Sequence, residues 1–155
     1  MKTRNKLKKM ILDYLKEAKL LQIATAKNNK PWVATLWYVH DSKFNLYFIS
    51  RRSRRHSLEL MRNPDVAGAI TKTHIIGSGE KVRGLQFEGK AEECHGATLK
   101  EASKLYLSKY PRAVKIPLEK LQDPNFTATY VVHPRTFVLF DEVNFPKEPR
   151  QEIKI

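Results

Sequence analysis

The apolar positions in residues 3–19 recur at the spacing of one helical face. They are Leu7, Met10, Ile11, Tyr14, Leu15 and Ala18. Intervals of three and four residues are typical of an amphipathic helix, so the pattern predicts a helix over residues 3–19 that packs on a core. The polar face of this helix is mostly lysine, and we interpret it as a solvated face.

After residue 19 the pattern changes to short runs of branched and aromatic residues, which are typical of strands. Strands are predicted over residues 20–27, 32–40, 45–50, 66–73 and 81–94, with a final β segment over 128–133 and 136–143 broken at Pro134. Two further helices are predicted over 53–63 and 97–109. Strands joined by short turns, without a strand–helix alternation, favour an antiparallel barrel. The polar residues 144–155 are predicted to be a loose tail.

Composition indicates one folded domain over residues 1–155, with the helix at 3–19, a barrel at 20–143 and the tail at 144–155. Hydrophobic residues make up 41% and charged residues 29% of the chain, as in ordinary globular proteins. The net charge of +13 favours an anionic partner, which could be a phosphorylated cofactor, nucleic acid or an acidic membrane.

The single cysteine, Cys94, excludes an intramolecular disulfide, and no Cys/His spacing indicates a metal site. Charged residues interrupt the apolar positions near the N-terminus, which argues against a signal peptide, and no apolar run reaches the length of a membrane span. We therefore expect a cytoplasmic protein with no membrane association.

The segment of residues 50–56, SRRSRRH, places four arginines at the predicted start of a helix. Backbone N–H groups there, the hydroxyls of Ser50 and Ser53, and the guanidinium groups together would make a phosphate cradle. The alternative is that the arginines face solvent or contact an acidic partner. No phosphate loop or nucleophile elbow is present, and no catalytic residue is identified.

Five aromatic residues cluster on two neighbouring predicted strands: Trp32, Trp37, Tyr38, Tyr47 and Phe48. They would form barrel core, or stack on a planar ring. Because they lie beside the basic segment, a second hypothesis is a barrel that binds single-stranded nucleic acid, with Trp37 and Tyr47 as stacking platforms.

Several segments follow one another in a fixed order between residues 20 and 94: LLQIAT, LYFIS, the pair Arg55-His56, the pair Asn63-Pro64, VAGAIT and VRGLQFEGKAEE. This succession resembles the pyridoxamine 5′-phosphate oxidase-like, FMN-binding split-barrel superfamily. The runs YFISRRSRRH, VRGLQFEG and LSKYPRA are most similar to a small group of uncharacterised bacterial proteins within it.

The resemblance implies a mainly β fold with flanking helices, a six-stranded antiparallel split β-barrel of the FMN-binding type. It also implies a homodimer with FMN at the subunit interface. Carried over by position, the FMN-binding residues fall into three groups. The backbone along the isoalloxazine is Ala34, Thr35, Leu36 and Trp37; the phosphate side is Ile49, Ser50, Arg54, Arg55 and His56; and Gln86 is a polar contact to the flavin.

Two departures from the oxidase pattern affect the expected reaction. Pro31-Trp32 stands where an arginine would open the second strand, and the tail NFPKEPRQEIKI has no Arg-Leu substrate motif. The expected function is therefore a flavin-dependent oxidoreductase with a different or unknown substrate. Alternatives are a deazaflavin or haem protein, a flavin carrier, a cofactor-free protein, or a nucleic-acid-binding barrel without redox activity.

Overall fold

The strands of the protein form one antiparallel sheet that closes on itself. The computed structural model describes residues 2–72, 77–111, 123 and 125–155. Within these ranges the elements in chain order are α1 (Lys2–Glu17), β1 (Leu20–Lys27), β2 (Lys30–His40), β3 (Leu46–Arg51), α2 (Arg55–Leu60), β4 (Asp65–Ile70), β5 (Arg83–Glu93), α3 (Gly96–Lys109), β6 (Thr127–Asp141) and β7 (Arg150–Lys154). This confirms the mainly β architecture with flanking helices.

The closure of the sheet comes from β6. The strand order is β3-β2-β1-β4-β5-β6-β7, and β3 also pairs with β6. The first part of β6 pairs with β3, from Thr127 opposite Arg51 to Val132 opposite Leu46, and its second part pairs with β7. Strands β1 to β6 therefore make a closed six-stranded ring, as the resemblance implied, and β7 extends the sheet beyond it.

A β-bulge carries β6 past Pro134, so the predicted break at this proline is wrong. The register of the β5–β6 ladder shifts between Glu88 and Gly89, and Gly89 stands opposite Pro134. A Cβ on Gly89 would lie 2.8 Å from the Cα of Pro134, so this close approach requires glycine. Because the ladder is already irregular at a bulge, the missing N–H of proline does not end the strand.

The prediction of a loose tail over 144–155 is wrong for its last part. Strand β7 pairs with β6 from Arg150 opposite Phe140 to Lys154 opposite Thr136. Ile153 is 5% exposed and lies opposite Phe137 in the same ladder. The segment has a polar sequence because only this one of its five side chains is buried.

The core lies inside the ring and beneath α1, which confirms the apolar stripe predicted for that helix. Fully buried side chains include Leu21, Ile23, Tyr38, Phe48 and Phe137 from the strands, and Ile11, Tyr14 and Leu15 from α1. The hydroxyl of Tyr14 donates to the carbonyl of Arg83 (2.9 Å), and that of Tyr38 donates to the carbonyl of Leu15 (2.7 Å). Both buried hydroxyl groups therefore have a hydrogen-bond acceptor within the apolar core.

Helix α2 is shorter than the predicted helix over 53–63. The N–H of Arg54 bonds to the carbonyl of Arg51 (3.1 Å), so the residues before Arg55 form a turn instead. Strand β4 ends at Ile70, and two predicted features lie outside the described residues: the strand end at residue 73, and residues 112 and 113 of the run LSKYPRA. No helix in the described ranges is long and apolar enough to cross a membrane.

Candidate functional site

Strands β2 and β3 separate like the arms of a fork, and we call this opening the fork. They pair only from His40–Leu46 to Tyr38–Phe48. Beyond the last pair, β2 continues in its ladder with β1 and β3 continues in its ladder with β6. The predicted residues 34–37 follow directly on one arm and residues 49–50 on the other. The structure therefore brings these two predicted groups together across the fork.

The backbone of β2 presents hydrogen-bonding groups to the fork. Antiparallel strands direct the N–H and C=O groups of alternate residues to opposite neighbours. The N–H of Asp41 bonds to the carbonyl of Asn45 (3.1 Å), so the odd-numbered residues of β2 face β3. Thr35 is one of these, and in the described part of the chain no strand pairs with it on that side. Its N–H and C=O are therefore open to a ligand.

The side chains of residues 34–37 alternate between the two faces of the sheet. Ala34 and Leu36 stand opposite the buried Ile23 and Leu21 and pack against the core. Thr35 and Trp37 point outward, and the Trp37 side chain is 58% exposed. A planar ligand beside this arm would thus meet backbone edges and the Trp37 indole.

Gln86 lies on the same outer face but away from the fork. The ladders align Thr35 with Gln22, Gln22 with Ala69, and Ala69 with Gln86 in one cross-strand row. Three strand spacings separate Thr35 from Gln86, about 14 Å. Gln86 therefore does not join the other predicted residues within one subunit.

The start of α2 places Arg54 and Arg55 beside the β3 arm. Arg54 is the N-cap residue, and its exposed side chain has no carboxylate partner among the described residues. The Arg55 Nε donates to Glu59 Oε1 (2.8 Å), and its guanidinium carbon lies 4.5 Å from the centroid of the Trp32 ring. Because only Nε is used, the Nη groups remain available to an anion.

Glu59 holds Arg55 in place, and sequence reasoning missed it. The residue is 4% exposed, and its Oε2 accepts a bond from the Thr25 hydroxyl (2.6 Å). This hydrogen bond first, and the bond from Arg55 second, lower the pKa of Glu59, which keeps it ionised. The i, i+4 spacing between Arg55 and Glu59 could have indicated their ion pair from the sequence. The contact of Glu59 with Thr25 could not be predicted, because Thr25 lies on a strand distant in sequence.

A cleft of about 510 Å³ opens between the β1–β2 turn and α2. Its lining consists of Lys27, Asn28, Lys30, Ser53, Arg55, Leu58 and Glu59. Three cations face a single carboxylate that is already bonded to Arg55, so the cleft keeps a positive charge. Such a cleft attracts phosphorylated ligands.

His56 turns inward from the same helix. Its Nε2 lies 2.7 Å from the Ser50 hydroxyl, and the residue is 6% exposed. Burial, and then the charge of Arg54, lowers the pKa of His56. The imidazole is therefore neutral at neutral pH, and it links α2 to the end of β3.

Arg52 faces away from the cleft. It forms an ion pair with Glu93 and donates to the carbonyl of Thr127 (3.2 Å). This arginine therefore ties the end of β3 to β5 and β6. Arg52, one of the four arginines in the basic segment, therefore stabilises the fold and does not line the cleft.

The aromatic cluster is divided between core and surface. Tyr38, Tyr47 and Phe48 are buried, whereas Trp32 and Trp37 are 43% and 58% exposed. The prediction of Tyr47 as a stacking platform is wrong, because the residue is 4% exposed and packs in a cluster that contains Leu99 and Ala102 of α3. Of the two predicted stacking platforms, Trp37 keeps the accessibility that stacking needs.

The closed ring and the fork together define a split β-barrel. Residues 7–142 match the family model described as pyridoxamine 5′-phosphate oxidase, and the chain belongs to this family. A relative by sequence is the UPF0306 protein PM1958 from Pasteurella multocida (strain Pm70), which is 32% identical over 104 residues, or 66% of this chain and 68% of the relative.

Solved structures share this fold. General Stress Protein 26 from Bacillus anthracis str. Sterne has a TM-score of 0.68 and 21% identity, covering 96% of this chain and 98% of that one. HutZ, a heme storage protein from Vibrio cholerae, has a TM-score of 0.67 and 16% identity, covering 81% and 88%. Because structures this similar include a heme storage protein, the fold alone does not define the cofactor.

Proposed function

We propose that the protein binds FMN and acts as a flavin-dependent oxidoreductase on a substrate other than pyridoxamine 5′-phosphate. The observation that carries the proposal is the fork, whose β2 arm offers backbone groups and whose β3 arm ends at a basic helix start. The two arms and the start of α2 hold every predicted FMN residue except Gln86. When bound, FMN would supply the electron transfer itself.

The ring of the flavin is assigned to the β2 arm. The N–H and C=O of Thr35 match the acceptor and donor groups along the polar edge of an isoalloxazine. Ala34, Leu36 and Trp37 complete this arm, with the exposed Trp37 indole as an apolar wall. A backbone site of this kind depends on the strand's path, which explains why the side chains here need not be polar.

The phosphate is assigned to the β3 arm and the start of α2. The Arg55 guanidinium is held by Glu59 and Trp32, so less of its side-chain entropy is lost on binding. Arg54 adds a second guanidinium, and Ile49 and Ser50 bring the strand to this point. His56 contributes by holding Ser50, and the neighbouring Lys27 and Lys30 add positive potential.

We further propose that the protein is a cytoplasmic homodimer with FMN at its interface. The outer sheet face around the fork carries Val33 and Trp37, each 58% exposed, beside the small residues Ala24, Ala67 and Ala69. Apolar surface of this kind is normally covered by a partner. A second copy on this face would also cover Gln86, which lies on the same outer face in one row with Ala69.

The test is an FMN titration of the purified, reconstituted protein followed by flavin fluorescence. We expect binding by the unaltered chain and a loss of about tenfold or more in Arg55→Ala, since hydrogen bonds to charged groups contribute about 1.5–3 kcal/mol. Arg135→Ala removes an exposed arginine on β6 and should leave FMN affinity unchanged. Absence of FMN binding, or equal affinity in the Arg55→Ala variant, would overturn the proposal.

The same preparation distinguishes the alternatives. A Soret band after addition of haemin, without flavin binding, would favour a haem protein like HutZ. Oligonucleotide affinity that falls steeply with salt would favour the nucleic-acid hypothesis, which the +13 charge and the exposed Trp37 support. Bound FMN that nicotinamide nucleotides fail to reduce would indicate a flavin carrier.

A further inference from the structure

The hydroxyl of Tyr106, on α3, lies at the closed end of the fork. It donates to the carbonyl of Trp37 (3.0 Å) and lies 3.2 Å from the carbonyl of Tyr47, a second acceptor. The N–H of Ile49 also interacts with this hydroxyl and acts to lower its pKa. One side chain therefore contacts both arms beside their last ladder pair, Tyr38–Phe48.

Burial raises the pKa of Tyr106 well above its ordinary range, and the bond from Ile49 opposes this only in part. The hydroxyl consequently stays protonated at physiological pH. It can donate to one arm while it accepts from the other, which an ionised phenolate could not do. The contact is thus a neutral bridge between two backbones.

Helix α3 is fastened in a way that fixes the position of this hydroxyl. Leu99 and Ala102 pack in a buried cluster with Val39, Tyr47 and Val131. The bridge is therefore set by a rigid element and not by a mobile loop.

We propose that Tyr106 is a positioning residue for the flavin, setting the angle at which the two arms separate. The inference rests on the proposed function, because the arms it joins carry Trp37 and Ile49 of the proposed FMN site. Tyr106 does not itself touch the reacting atoms. Its role is to hold the ring-binding arm and the phosphate-binding arm at one separation, so that both ends of FMN are contacted together.

The test compares Tyr106→Phe with Tyr110→Phe, which removes the hydroxyl just after α3 that donates to the carbonyl of Tyr38 (3.0 Å) on the β2 arm only. We expect Tyr106→Phe to raise the FMN dissociation constant about tenfold, the loss that one hydrogen bond can produce, and Tyr110→Phe to change it less than about twofold. Amide hydrogen exchange at Ile49 should be faster in Tyr106→Phe than in the unaltered protein or in Tyr110→Phe. Equal dissociation constants for the unaltered and Tyr106→Phe proteins would overturn the inference.

Failure of the proposed function gives a different result. If the unaltered protein binds no FMN, hydrogen exchange at Ile49 in the same three proteins still tests whether Tyr106 bridges the two arms. Faster exchange at Ile49 only in Tyr106→Phe would then support the bridge formed by Tyr106, while the absence of binding would overturn the proposal that the protein binds FMN. Equal exchange in all three proteins would reject the bridge as well.

Discussion

The Ser50 hydroxyl and the Nε2 atom of His56 lie 2.7 Å apart, and both residues are buried, with exposures of 8% and 6%. Their bond joins the end of β3 to the first turn of α2 and closes the turn that carries the basic segment. A neutral pair thus fixes the backbone on which Arg54 and Arg55 are mounted. The orientation of the proposed phosphate site depends on that pair.

Acidification should weaken the protein through His56. Because burial lowers the pKa of His56, the unfolded chain takes up a proton at a higher pH than the folded chain. The contribution of this histidine to stability is therefore complete above about pH 6.5 and is lost as the pH falls below it. Urea unfolding at a series of pH values should show this decline, and His56→Gln, which keeps a bond to Ser50, should reduce it. An unchanged slope in the variant would contradict the prediction.

Removing the Thr25 hydroxyl should destabilise the fold. Thr25→Val keeps the side-chain shape but leaves the buried carboxylate of Glu59 with one partner fewer, at a cost of about 1–3 kcal/mol in the free energy of unfolding. Thr136→Val is the matched control, since Thr136 donates to Glu88 (3.1 Å) at an exposed site. We expect a change within about 0.5 kcal/mol for the control. Equal effects in urea unfolding would show that the burial of Glu59 is not the cause.

A charge on the outer sheet face should break the proposed dimer. Val33→Glu would bury an unpaired carboxylate in the interface, which is strongly unfavourable. Val143→Glu is the control, because Val143 is 50% exposed and lies in the turn after β6. Size-exclusion chromatography with light scattering should give a dimer for the unaltered protein and the control, and a monomer for Val33→Glu. A dimeric Val33→Glu protein would place the interface elsewhere.

The last strand should be needed for stability even though its sequence is polar. Ile153→Ala removes the buried side chain of β7 and should cost about 2–3 kcal/mol, at the lower end for buried aliphatic truncations because β7 is an edge strand. Ile155→Ala changes an exposed residue two positions later, 42% exposed, and should have little effect. Thermal unfolding of the two variants measures the difference. A neutral Ile153→Ala variant would contradict the prediction, because it would show that burial of this side chain does not stabilise the fold.

Much of the barrel could be predicted because its signals are local. The apolar stripe of α1, the alternation in β5 and the polar turns between strands follow from the nearest few residues. At two places the local signal is misleading. Pro134 signals a break that the bulge at Gly89 removes, and the five residues of β7 hold only one buried side chain, Ile153, too few to produce an alternating pattern.

The sequence by itself determined the strand succession, the basic segment and the resemblance that names residues 34–37, 49–50, 54–56 and 86. Only the tertiary structure decided how they meet. The fork depends on Tyr106, whose hydroxyl lies on a helix more than fifty residues away from either arm, and the setting of Arg55 depends on Thr25 through Glu59. Contacts between distant segments form only when the whole ring closes, so no local pattern of hydrophobic and polar residues encodes them.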